Sequence, residues 1–490
     1  MESLRWKHFA KRPAVSLFLA FAAGGFVANG ILLVFLLIPA WYLAGKWKAA
    51  ALGCFVLSAL RCWMLPAPAQ PWPTTDPITI TGTVATMPEM GISSQRFVMT
   101  TSRGPLLVYT EPSRLITLGD QLRVRLTVRN LVGPPAEYWL RRGVRQRAYA
   151  TPNHAVEILA PGPTWASWAA NWRKMTWDRL RRHLPYENAS IAMAILFGQD
   201  RLLEDRDAEA MRSSGTYHLV ATSGFNVLIL IGAVMVILSH FPIPRPAQVA
   251  VGLGLLALYA LAVGMNPPIV RAILMATILM SVMFFYLTPD SLSAWGVAGI
   301  VYLAVHPYAV LEPGFQLSFG VVLGLILFLP PSLHATGEWL EQRVSMPLAR
   351  YVLLGLIGSL LTTLIAQLAS LPIAAYHFGR ISLVSPVPNL LTAPALPFIY
   401  LGAALAHLFE PFSEVLSRGF DLLLTGAFSE WIRMTNGYFG SLRFADIQFA
   451  PIPAWLAAVW FLWVPLLSRP WRYPVPDPSD ETLSRLGLTR

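Results

Sequence analysis

Residues Leu196–Leu228 read LFGQDRLLEDRDAEAMRSSGTYHLVATSGFNVL, and this stretch decides the fold class. It opens polar and charge-dense, then becomes an apolar helix with no clean boundary. His218, Thr222, Ser223, Gly224 and Asn226 sit just inside the apolar part. Hydrocarbon offers such groups no hydrogen-bond partner, so they must be satisfied within protein or by water. A helix that only anchors a chain has no use for them. This one is expected to line a path or a site.

Composition points the same way. Of 490 residues, 55% are hydrophobic and only 13% are charged, whereas a soluble domain carries about a quarter charged residues. Several apolar runs approach the ~20 residues that cross a bilayer as a helix. The expected class is mainly α: a polytopic helical membrane protein with about ten transmembrane or re-entrant helices and one small soluble domain. The formal net charge is +11, with 32 Arg and 5 Lys among the basic residues. Arginine binds phosphate bidentately and stacks on bases, which suits a nucleic-acid path; a GC-rich genome gives the same bias. Cys54 and Cys62 are eight residues apart in one apolar segment, a spacing that does not suit a disulfide within a helix.

Reading outward to the N-terminus, Arg5, Lys7, Lys11 and Arg12 precede a first apolar run, Ala14 to Ala28. The positive-inside rule places that end in the cytoplasm. Further runs go from Ile31 to Gly45 and, after Lys46 and Lys48, from Ala49 to Leu65. No convincing cleavage site interrupts them, so residues 1–65 are expected to stay as transmembrane helices. Three crossings put residues 66–163 outside. A Pro-rich linker opens that region.

The period then changes to two. Ile78–Val84 and Gln121–Arg129 alternate as strands do, Arg96–Thr101 and Leu106–Thr110 are shorter candidates, and Arg145–Leu159 closes the set. Five short strands in this span fit a small extracytoplasmic β-barrel of the OB type. Residues 76–160 hold ten Arg and no Lys against six carboxylates, a balance of +4. Arg123, Arg125 and Arg129 share one strand face, either an ordinary solvated face or a groove that tracks a nucleic-acid backbone. Residues 164–188 read as an amphipathic helix. Trp165, Trp168 and Trp172 share a face, and Arg173, Lys174, Arg179, Arg181 and Arg182 crowd the second half. Lying in the membrane interface suits that pattern, as does lining a channel mouth.

Beyond the opening stretch, apolar runs fall at about 219–239, 247–264, 269–287, 292–305, 314–329, 353–371, 390–408 and 455–467. With both termini expected in the cytoplasm an odd number must cross after the outside domain, so seven are expected to cross and one to be re-entrant, as the Gly and Pro that interrupt several runs suggest. Residues 189–468 form the expected channel domain. Residues 469–490 form a charged, Pro-rich cytoplasmic tail without a packed core.

Four blocks set polar groups beside Pro or Gly at membrane depth: Leu196–Leu228, Asn266–Ala272 with Arg271, His306–Phe319 with Gln316 and Ser318, and Pro372–Asn389 with His377. In this order they resemble the competence domain of the ComEC family, the inner-membrane channels for DNA uptake in transformation. His218–Val227, HLVATSGFNV, stands for the family's hallmark segment. Arg271–Ala272, Gly314–Phe319, Asn389–Leu391 and Glu137–Val144 match as well. Asn226 stands where the commoner form of the hallmark has His. Many members continue into a metallo-β-lactamase-like domain, and the nine histidines here show no HxHxDH spacing. The resemblance therefore implies the form lacking that C-terminal domain, with any strand degradation left to a separate nuclease.

The resemblance further implies a pore for single-stranded DNA lined by His218, Thr222, Ser223, Asn226, Arg271, Gln316, Ser318, His377 and Asn389. A shared aqueous cavity would satisfy them together. It implies strand contacts in the barrel by Arg96, Arg123, Arg125, Arg129, Arg141 and Arg142. The implied partners are membrane lipids, a periplasmic DNA-receptor protein and a cytoplasmic translocation motor. For His218 the plainer role is a bond to a nearby carbonyl; for Arg271 it is a buried ion pair, Glu312 being one candidate partner. Glu204, Asp205, Asp207 and Glu209 do not converge on one helix face, so a solvated or capping role is expected. No Walker motif, zinc site or nucleophile triad is visible, and no cofactor is expected. The rival readings are a membrane-embedded metal-dependent hydrolase, which would need that acidic cluster and His218, and a solute or lipid transporter.

Overall fold

The computed structural model describes residues 13–28, 48–63, 71–74, 77–112, 115–132, 139–140, 143–151, 156–220, 224–264, 267–284, 290–450 and 452–453. Outside them lie the basic N-terminus, the run 31–45, most of the Pro-rich linker, half of the block Glu137–Val144, the last apolar run and the tail. The chain divides into two compact units. One contains residues 65–273 and 382–446, and the other contains 1–64, 274–381 and 447–490.

The first unit begins with the expected barrel. Its strands are β1 (Ile78–Val84), β2 (Glu89–Met90), β3 (Gln95–Thr101), β4 (Gly104–Thr110), β5 (Gln121–Asn130), β6 (Gln146–Ala150) and β7 (Glu157–Ala160). Five of them close a ring in the order β1-β3-β4-β6-β5, and β5 returns to β1. All ring pairings are antiparallel except β4 with β6, which is parallel. This is the five-stranded Greek-key order of an OB barrel. Strict alternation builds it: in β5, Leu122, Val124, Leu126 and Val128 point inward while Arg123, Arg125 and Arg129 point out. Ile80, Phe97, Met99, Val108 and Leu122 fill the interior. Gly82 lets β1 serve two neighbours, since it pairs with both Thr101 and Leu122. A Cβ there would lie 2.5 Å from the Thr100 carbonyl oxygen, so only glycine fits. The expected closing strand 145–159 is split into β6 and β7, and β2 adds a short pairing on β3.

Helices α1 (Thr164–His183) and α2 (Tyr186–Phe197) follow, then α3 (Asp205–Ser214), α4 (Gly224–Ser239) and α5 (Arg245–Val263). From residue 386 onward come α6 (Pro386–Thr392), α7 (Leu396–Phe409), α8 (Glu414–Phe420) and α9 (Ala427–Gly440), with a π-helical turn, Asp421–Gly426, between the last two. α1 carries Trp165 and Trp168 on an exposed side, as the periodicity predicts. Its basic half is not uniformly solvated, however. Arg173 and Arg179 are buried, because the helix packs its Ala166, Ala169 and Ala170 side inward and the arginines continue that side. Arg179 donates to Asp421 at 3.1 Å and to the Ala403 carbonyl at 3.2 Å. His183 meets the same carboxylate at 2.8 Å. The π-turn thus presents a fully buried Asp421 to two side chains of α1. α2 is buried from Asn188 to Phe197 and ends at Gly198, whose φ of 67° gives the left-handed cap. Its last carbonyls accept from Tyr400 and Tyr259.

In the second unit, α10 (Pro13–Ala28), α11 (Lys48–Trp63), α12 (Ser291–Val305), α13 (Pro313–Arg343) and α14 (Pro347–Phe378) pack together, their numbers following on from the first unit; Pro267–Phe284 runs from the first unit into the second. The ring of Phe18 sits edge-on to Trp295, centroids 4.7 Å apart. Gly299 makes room for it, since a Cβ there would fall 2.2 Å from that ring. Leu348, Val352, Leu356, Leu360, Leu364 and Leu368 recur every four residues on α14 and are all exposed, an apolar face suited to lipid.

Four helical stretches among the described residues are long and apolar enough to cross a membrane: Arg245–Val263, Pro313–Arg343, Pro347–Phe378 and Pro386–Phe409. The other expected spans that are described, such as Ser291–Val305, are shorter apolar helices. The fold is therefore mainly helical with a small β-barrel, and among the described residues four spans meet the length criterion.

Candidate nucleic-acid interface

The barrel's outer face is set by strand register. Arg96 of β3 stands opposite Tyr109 of β4, Tyr109 opposite Tyr149 of β6, and Arg147 of β6 opposite Arg129 of β5. Outward-pointing positions on four neighbouring strands thus bring Tyr and Arg into one patch. Tyr109 and Tyr149 stack at 5.1 Å with their planes 19° apart. The Arg147 guanidinium lies 5.8 Å from the Tyr149 ring and that of Arg201 lies 5.7 Å from the Tyr109 ring. The result is a ladder of cation, ring, ring and cation. Cation–π contact holds each guanidinium flat without using up all its hydrogen-bond donors.

The sequence-predicted arginines divide. Arg125 and Arg129 are exposed. Arg123 is exposed and pairs with Glu157 at 3.0 Å. Arg96 is half-buried, tied to Glu89, and lies 5.4 Å from the Trp139 ring. Its guanidinium ties β2 and the Trp139 ring to the barrel, and Trp139 packs with Val98, Leu107 and Val144 on that outer face. Arg141 and Arg142 lie outside the described residues.

The polar half of Leu196–Leu228 folds onto the barrel. The Gln199 side chain accepts from the Met90 amide at 2.8 Å. Tyr217 donates to Asp200 at 2.8 Å, and Arg212 lies 4.8 Å from the Tyr217 ring. Burial raises the Asp200 carboxyl above its ordinary range, against the Tyr217 hydrogen bond. Burial, reinforced by Asp200, pushes the Tyr217 phenol up to about 12. A cleft of about 300 Å³ opens between these residues and the Gly91–Ser94 turn. Gly215, two residues before Tyr217, has a φ of 78°, and a Cβ there would meet the Ser385 Cβ at 2.5 Å. Asp205 and Asp207 occupy the first turn of α3, where carboxylates favour the positive helix end. Among the described residues, no group of three or more His, Cys, Asp or Glu side chains is placed to hold a metal ion.

The residues expected to line a path fall in both units. His218 is exposed on a short 3-10 turn, with Nδ1 3.2 Å from the Gly215 carbonyl. Asn226 is in α4; its side chain, with Thr222 and Ser223, lies outside the described residues. Arg271, on Pro267–Phe284, is 1% exposed. Asn389, on α6, is half-buried. In the other unit, His377 Nε2 and Gln316 Oε1 are 2.8 Å apart, and Gln316 donates to the Val310 carbonyl at 2.9 Å. Those two bonds fix the amide and make His377 the donor. Ser318 is half-buried two positions beyond Gln316.

A family model described as Competence protein matches residues 195–473, more than half of the chain. The chain belongs to the Competence protein family. The matched span of this Competence chain begins at the end of α2, so it includes the whole Leu196–Leu228 stretch, Arg271, Gln316, His377 and Asn389, and leaves the barrel outside. The chain is similar to ComE operon protein 3 of Bacillus subtilis, 32% identical over 247 residues, covering 49% of this chain and 30% of that one. It is also similar to Competence protein ComA of Neisseria gonorrhoeae, 26% identical over 398 residues, covering 74% of this chain and 51% of that one. It thus spans about half or less of the curated relatives it matches. No solved structure matches it.

Tyr109, Arg147, Tyr149, Asp200, Arg201, Arg212 and Tyr217 are not residues that the sequence pattern singles out as site candidates. The outward positions of Tyr109 and Tyr149 follow from period-two counting. Their stacking depends on the parallel β4–β6 pairing, which no local pattern encodes.

Proposed function

We propose that this Competence-family chain conducts single-stranded DNA across the bacterial inner membrane during natural transformation. The observation that carries the reading is the ladder of Arg201, Tyr109, Tyr149 and Arg147 on an OB barrel, joined to the family's own segment through Arg201. Stacking surfaces and cations in alternation bind a single strand without reading its sequence. The barrel stands on the outer side, and both termini are cytoplasmic. A periplasmic receptor delivers the strand, a cytoplasmic motor draws it in, and a separate nuclease removes any strand left behind. In one unit His218, Thr222, Ser223, Asn226, Arg271 and Asn389 offer donors and acceptors to the strand, and in the other Gln316, Ser318 and His377 do.

Purified full-length protein in detergent is expected to bind oligothymidylate better than duplex of equal length, with affinity falling steeply as salt rises. Replacing Arg125, Arg129 and Arg147 together with Gln should flatten the plot of log affinity against log salt by about 2, since each lost phosphate contact on a single strand removes ~0.7. An unchanged slope removes the barrel from the path, and preference for duplex contradicts the single-strand reading.

A further inference from the structure

The ladder accounts for the Tyr109 and Tyr149 rings, but not for the cleft beside them. That cleft is lined by the Gly91–Ser94 turn and by Asp200, Arg201, Asp205, Arg212 and Tyr217. Its chemistry is mixed rather than cationic. Asp200 and Asp205 on the wall oppose a bare phosphate, while Arg201 and Arg212 oppose a bare cation. Side-chain donors and acceptors are instead interleaved at close range. Asp200 gives Tyr217 one carboxylate oxygen, Oδ2, at 2.8 Å. Arg201 Nη1 is buried with no hydrogen-bond partner among the described residues. Tyr217, already covered by Arg212 at 4.8 Å, adds an aromatic wall. An aromatic wall with a carboxylate acceptor and guanidinium donors complements the edge and face of a nucleobase, which offers donors and acceptors side by side on a flat ring. A volume of about 300 Å³ lies at the small end of ligand sites, so it suits one unit of a strand.

We infer that this cleft holds one unstacked nucleobase of the passing strand, between the β2–β3 turn and the Asp200–Tyr217 segment. The inference rests on the single-strand reading above and deepens it. Arg201 links the two places, because its guanidinium lies over Tyr109 and its side chain also lines the cleft. A strand stacked on the barrel has its next base within reach of the cleft. Every base carries both donors and acceptors on its edge, so occupancy is sequence-tolerant. A sugar-phosphate chain without bases gains nothing there.

The test uses the full-length protein in detergent and fluorescent oligodeoxynucleotides: oligothymidylate, and the same length made wholly of abasic sites. Asp200→Asn keeps the volume and the Tyr217 contact but replaces the carboxylate acceptor, and Ser93→Trp fills the cleft from an exposed turn. Each is expected to weaken oligothymidylate binding about tenfold, in line with the effect of losing one stacked base, and to leave the weaker abasic binding unchanged. Thermal unfolding of each variant should match the parent, and Ser93→Trp, which breaks no buried contact, serves if Asp200→Asn does not fold. Equal loss for abasic and normal strands makes the cleft a backbone site and overturns the inference. Unchanged binding of both strands in folded variants also overturns it, while leaving the single-strand reading intact. Absence of any oligonucleotide binding by the parent protein at low salt refutes the underlying reading itself.

Discussion

Arg271→Ala is expected to abolish transformation, counted as transformants per recipient, while the protein stays inserted at parental abundance. Arg271 is 1% exposed on a helix whose other residues are largely apolar. Desolvating a guanidinium costs several kcal/mol, so a chain that keeps one buried in an apolar helix uses it for position or passage. In a conducting path it meets phosphates of the moving strand, and truncation to Ala removes that contact. Abundance on immunoblots separates the two roles. Loss of transformants at normal abundance fits the path, whereas collapse of the protein assigns Arg271 to a buried ion pair.

The second large effect concerns stability. Asp421→Ala leaves Arg179 buried beside His183 with its nearest carboxylate gone. Removing one partner of a buried ion pair costs about 3–5 kcal/mol, which is enough to lower the thermal midpoint in detergent sharply and to reduce yield. Glu410 lies 3.6 Å from Arg179 but is partly exposed and is shared with Arg182 at 2.8 Å, so it does not replace Asp421. The double variant Arg179→Met with Asp421→Leu removes both charges and should recover most of the loss. A double variant as unstable as the single one would mean that the cost lies in packing around the π-turn.

Local pattern reveals much of this fold. Gln121–Arg129 alternates so strictly that its inward and outward faces can be assigned from the letters alone, and the OB-type barrel follows from counting strands. The ring order cannot be read, because the parallel contact between β4 and β6 depends on the path of the chain between them. The basic half of α1 shows the same limit. Arg179 reads as one of several interfacial cations, yet its partner Asp421 is 242 positions away in a stretch with no motif. By contrast, His377 and Gln316, 61 positions apart, both stand out because each is a polar group beside Pro or Gly in an apolar run. Asp200 and Tyr217 fall within the most informative stretch of the sequence but do not stand out there. The signal in that stretch is polarity at the start of a helix, and the cleft forms only when the segment folds back on a barrel loop more than a hundred residues earlier.

Passage of a single strand from the barrel into the membrane domain is tested most directly by cross-linking in competent cells. A photoreactive amino acid is placed at Tyr149 on the barrel and, in a second strain, at His218 on the turn before α4, and transforming DNA is stalled during uptake by a bulky terminal block. The expected result is single-stranded DNA covalently joined to the protein at both positions, and none without the block or in the Arg271→Ala strain at His218. Cross-links at Tyr149 alone in the otherwise unaltered protein, or duplex DNA at His218, would contradict passage of a single strand along this route.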